Sequence, residues 1–102
     1  MTTKYILDGH RAVPEADLLA WAEWFETADR QVVSTQVGKV RVSTVFLGLD
    51  HNWAREGSPI LFETMVFGGF LDNEERRYCT WEEAEAGHAA MVKRVVETEV
   101  KP

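Results

Sequence analysis

The chain has 102 residues, a formal net charge of -6, 45% hydrophobic residues, 27% charged residues and one cysteine. This size suits one globular domain burying roughly 60–70% of its unfolded surface, and the composition excludes intrinsic disorder. The acidic balance excludes nonspecific duplex DNA binding, and the lone Cys79 excludes an internal disulfide and a thiolate-built metal cage.

No apolar run approaches the ~20 residues of a membrane-spanning helix, so no membrane partner is expected. No hydrophobic signal segment follows Met1 to Lys4, so the expected location is the cytoplasm. Tyr5-Ile6-Leu7 meets Asp8-Gly9, a strong hairpin dipeptide, and His10-Arg11-Ala12-Val13 reads as the return strand. Pro14 suits the first position of a helix, and Glu15 and Asp17 place negative charge in its first turn. Leu18, Trp21, Ala22 and Phe25 then form one apolar stripe on a helix reaching about Ala28, with Trp24 off its centre.

The period changes at Val32. Val32 to Val37 and Val40 to Leu47 are rich in β-branched residues, and Gly38-Lys39 between them suits a two-residue hairpin loop. That loop pairs Val37 with Val40, Thr35 with Val42 and Val33 with Thr44. Asp50 to Pro59 reads as an irregular connection, Ile60 to Phe67 as a third strand ended by Gly68-Gly69, and Leu71 to Arg77 as a charged turn. Thr80-Trp81-Glu82-Glu83 is a capping box opening a helix to about Glu97, whose stripe is Ala84, His88, Met91, Val92 and Val95. Gly87 costs that helix ~1 kcal/mol relative to alanine and is expected to admit another backbone.

The expected fold is α+β, a small antiparallel sheet with two helices packed on one face, over a single domain 1–102. The other sheet face carries Val45, Leu47, Leu61, Met65 and Phe67 around a polar centre. A homo-oligomer, most simply a dimer, would cover it, and a ligand pocket at that interface is the next candidate.

Several residues have the chemistry of a site. Glu63 lies in mid-strand; it either pairs with Arg41 across the same face or recognises a ligand hydroxyl or amine. Asp50, His51 and Trp53 offer an acid–base pair beside a stacking plane, or simply an Asx-type loop. His88 lies on an apolar stripe, where an imidazole usually bonds to the fold. His10, His51 and His88 are too dispersed for a zinc site, and a Cys79–His88 pair lacks a third group. Arg76, Arg77, Tyr78 and Trp81 combine phosphate forks and aromatic planes beside a helix N-terminus, or else form a solvated charged turn.

Three stretches, VRVSTVFLGLDH at 40–51, LFETMVFGG at 61–69 and RYCTWEEAEAGH at 77–88, resemble a family of small phage and prophage proteins. By analogy with small oligomeric phage proteins that sequester nucleotide immune signals, the resemblance implies a non-enzymatic binder of a nucleotide-derived small molecule. In that reading Arg41, Arg76 or Arg77 holds phosphate. Trp53, Tyr78 or Trp81 stacks on the base, and Glu63, Asp50 or His51 reads ribose or base edges. No cofactor is implied. The competing expectations are a small hydrolase or phosphodiesterase using Asp50, His51 and His88, and an accessory module binding another protein through the second sheet face.

Overall fold

Two β-branched runs joined at Gly38 set the architecture. In the computed structural model, which describes residues 3–54 and 56–100, they form β3 (Gln31–Val37) and β4 (Val40–Phe46). The ends of the expected 1–102 domain and position 55 of the 50–59 loop lie outside the described residues. Gly38 adopts φ +58°, and Val37 pairs with Val40, Thr35 with Val42 and Val33 with Thr44, the register that the loop length predicts. A bulge between Gln31 and Val33 lets the Gln31 amide donate to the carbonyls of Val33 and Thr44 and to Ser43 Oγ.

β5 (Phe62–Phe67) pairs antiparallel with β4, starting two residues later than the apolar run suggests. Beyond it lies a strand that the sequence reading takes for a charged turn: β6 (Glu75–Tyr78), antiparallel to β5. Its charges concealed it, yet charge is what an edge strand carries to resist pairing with another chain. Tyr5–Asp8 (β1) and Arg11–Pro14 (β2) form a separate two-stranded sheet around Gly9, at φ +63°, and His10. The two sheets, of two and four strands, with two helices make an α+β fold.

One face of the larger sheet is fully buried at Val42, Thr44, Phe46, Phe62, Thr64 and Val66. The second helix, α2 (Trp81–Glu99), crosses it and buries Ala84, His88, Met91 and Val95, as its stripe predicts. Its capping box forms, with Thr80 Oγ1 accepting from the Glu83 N–H at 3.1 Å. The core divides into two clusters. Val40, Val42, Val66, Met91 and Val95 form one; Phe46, Leu61, Phe62 and Ala84 form the other, with Tyr5, Leu7, Ala12 and Trp24 against it. Burying each such side chain contributes about 1.5–3 kcal/mol.

The first helix, α1 (Leu18–Thr27), differs from its sequence reading. Pro14 closes β2 opposite Tyr5 rather than starting the helix, because the next N–H, of Glu15, extends the pairing to the Lys4 carbonyl. Asp17 is the N-cap, accepting from the N–H groups of Leu19 and Ala20. Leu18 and Ala22 are exposed; the inward residues are Trp21, Trp24 and Phe25. The Trp21 indole donates to the carbonyls of Tyr5 and Gly48, both at 3.1 Å. A side chain at Gly48 would collide with Phe25, and Trp24 meets Phe46 edge-on at 5.8 Å. So α1 rests on β1 and reaches the buried sheet face only at its end. Among the described residues no helix is long and apolar enough to cross a membrane.

Gly87 admits a side chain rather than a backbone: a Cβ there would lie about 2.2 Å from Cε1 of the Tyr78 ring. Alanine should gain ~1 kcal/mol in helix propensity but lose about 1–3 kcal/mol to the clash. Gly87→Ala is therefore expected to lower the urea midpoint; a raised midpoint would show that Tyr78 does not pack on this turn.

Candidate functional site

The hairpin β1–β2 folds over the N-terminus of α2 because Tyr5, Leu7 and Ala12 join the cluster containing Phe62 and Ala84. Between them opens a cleft of about 640 Å³ whose lining includes Asp8, His10, Arg11, Ser58, Trp81 and Glu82. The His10 and Trp81 rings stack with centroids 3.9 Å apart and planes 6° from parallel. Phe62 meets Trp81 near the perpendicular, at 6.2 Å and 87°. Trp81 Nε1 is buried and finds no acceptor among the described residues. A buried donor left unpaired costs about 1–3 kcal/mol. Arg11 is exposed and forms no ion pair with any described residue.

The helix terminus in this cleft already holds an anion of its own. Glu83 Oε1 accepts from the N–H groups of both Cys79 and Thr80 at 3.1 Å. Burial pushes the Cys79 thiol up, and the carboxylates of Glu83 and Asp50 add to the shift. A thiol held protonated is a poor nucleophile.

Of the ligand-binding residues expected from the sequence, Trp81 alone lines this cleft. Arg76 and Arg77 alternate along β6, so they point to opposite sheet faces. Arg77 pairs with Glu63 at 2.9 Å. The expected Arg41–Glu63 bridge is absent because Glu63 lies opposite Val45 and Arg77, whereas Arg41 lies opposite Phe67. The Arg41 guanidinium instead sits 4.5 Å above the Phe67 ring. Arg76 bonds Glu74 at 3.2 Å, and Arg94 reaches the same carboxylate oxygen at 3.2 Å. The hydrogen bond from Arg94 and the two positive charges hold the Glu74 carboxyl below its usual range. Arg76, Tyr78, Gly87, Met91 and Arg94 line a smaller groove of about 210 Å³.

Asp50 and His51 form no acid–base pair. Asp50 Oδ1 accepts from the N–H groups of Asn52 and Ile60 at 2.8 and 3.0 Å, and His51 Nδ1 donates to the Leu49 carbonyl at 2.8 Å. They close the loop, leaving Trp53 76% exposed. His88 is buried at mid-helix, with Nε2 2.8 Å from Thr35 Oγ1 and Nδ1 2.7 Å from Thr44 Oγ1. Thr44 continues to Thr64 at 2.5 Å, and the Tyr78 hydroxyl donates to Thr64 at 3.1 Å. With both nitrogens engaged, the ring has no lone pair left for a substrate. Among the described residues no three His, Cys, Asp or Glu side chains converge as metal ligands.

The sequence reading missed His10 and Arg11 as site residues. Its one local signal was Asp8-Gly9, which places both at a hairpin turn but cannot say what the hairpin folds against. Comparison with protein-family models, with curated proteins and with solved structures finds no match to this chain.

Burial depresses the His88 imidazole below its usual value. The unfolded chain therefore takes up the proton first, near pH ~6.5. The resulting stability is complete above that pH and is lost as pH falls toward the folded value. Wild type is expected to lose more stability between pH 7.5 and 5 than His88→Gln, about these limits by urea melts. Parallel profiles would show that His88 does not titrate differently on folding.

Proposed function

We propose that this chain is a non-enzymatic binding protein that holds a nucleotide-derived small molecule in the cleft between the β1–β2 hairpin and α2. The observation that carries the reading is that Arg11, whose guanidinium has no ion-pair partner among the described residues, and the aromatic plane of Trp81 line one cleft of about 640 Å³. Small-molecule sites span roughly 300–1,000 Å³. Arginine forks onto phosphate and an indole stacks on a base. The Asp8 and Glu82 carboxylates offer acceptors to ribose hydroxyls. A protonated Cys79, a doubly bonded His88 and an Asp50–His51 pair committed to loop backbone favour retention over turnover. With the resemblance to small phage and prophage proteins, this supports sequestration of a host immune signal in the infected cell's cytoplasm.

Calorimetric titration with cyclic nucleotides and ADP-ribose derivatives tests the reading. Wild type is expected to bind one of them and release it intact on heating. Arg11→Ala should weaken binding by roughly ten- to a hundredfold, the cost of one charge-assisted bond. No binding by wild type, or equal binding by the variant, would remove the cleft as a phosphate site.

The same reading includes a homodimer through the open sheet face, where Val45 and Met65 stay half-buried and Phe67 is 43% exposed. Light scattering is expected to give twice the 11.6 kDa chain mass. A monomer at high micromolar concentration would refute it.

A further inference from the structure

We infer that His10 is a removable plug: the ring of a bound nucleotide takes its place on Trp81, and a ligand oxygen accepts the indole N–H. This rests on the cleft being the ligand site and adds how the ligand is seated.

The His10–Trp81 geometry, 3.9 Å and 6°, is the geometry a base adopts on an aromatic platform. His10 is exposed, in a two-residue turn behind Gly9, and hydrogen-bonds to no described residue. The stack is thus what holds the ring, and side-chain rotation releases it without unpairing β1 from β2. Trp81 carries a second sign of an incomplete site: its Nε1 is buried and unpartnered. The donor lies on the edge of the indole whose face His10 covers, so a ring seated in place of His10 would carry its own substituents toward that edge.

The direction of the N–H narrows the ligand class. A stacked ring lies over the indole face, whereas the N–H points outward along its edge. The acceptor is therefore an oxygen off the base, from ribose or phosphate. Arg11 follows His10 in the chain and lines the same cleft, so it suits the anionic group. Base, sugar and phosphate together are required, so a nucleotide fits where a free base does not.

The test compares ADP-ribose and adenine on wild type, His10→Ala and His10→Phe, by calorimetry and by the His10 ring proton signals. ADP-ribose is expected to bind His10→Ala roughly two- to tenfold more tightly than wild type, since no incumbent stack must be broken. His10→Phe, which keeps an aromatic plug, should not gain. Adenine should bind more weakly than ADP-ribose. In free wild type the Trp81 ring current shifts the His10 ring protons upfield; saturation should move them toward solvent-exposed values. If wild type binds but His10→Ala binds no tighter, or the His10 signals stay in place at saturation, the plug is overturned and the cleft reading survives. If no variant binds ADP-ribose, both are overturned for this ligand class.

Discussion

The seating of α2 on the sheet depends on one buried imidazole. His88 bonds Thr35 on β3 through one nitrogen and Thr44 on β4 through the other. Apolar packing holds the helix by shape, as where the Tyr78 ring fills the notch at Gly87, and the imidazole adds directional bonds to that fit. Buried polar groups cannot slide without losing partners, at about 1–3 kcal/mol each. The bonds to Thr35 and Thr44, with Thr64 and Tyr78 behind them, therefore set where the helix lies along the strands.

That seating divides the core and places the cleft. Toward the C-terminal half of α2, Met91 and Val95 meet Val40, Val42 and Val66; toward its start, Ala84 meets Phe46, Leu61 and Phe62. The β1–β2 hairpin completes the second cluster, so its turn is carried over the first residue of α2. The His10–Trp81 stack thus follows from how two separate segments share one apolar cluster. Tyr78 joins the same arrangement, its ring filling the space left by Gly87 while its hydroxyl ends the polar chain.

Charges are spent locally on the remaining surface. Glu63 with Arg77, and Glu74 with Arg76 and Arg94, neutralise one another along the β5–β6 edge. Exposed pairs of this kind contribute about 0–1 kcal/mol. Their larger effect is to engage the arginines that the local sequence offers as phosphate ligands. Arg11 is left as the guanidinium in the cleft without such a partner among the described residues.

The sequence by itself determined what depends on neighbours along the chain. The Gly38 hairpin and its register, the Thr80 capping box and the α2 stripe are set by loop length, side-chain capping and helical period. The β1–β2 hairpin was legible for the same reason, although its turn falls on Gly9-His10, one residue beyond the Asp8-Gly9 dipeptide that signals it. What depends on distant segments was decided by tertiary structure. Pro14 ended a strand because Lys4 was there to receive the next N–H, and the charged 75–78 segment became a strand because β5 offered its edge. Arg76 and Arg77 were adjacent in sequence but separated by the pleat, whereas Arg11 and Trp81, seventy residues apart, came to share a cleft. A local pattern records the backbone's preferences and the face a side chain would show; which surface that face meets depends on apolar burial and polar pairing summed over the whole chain.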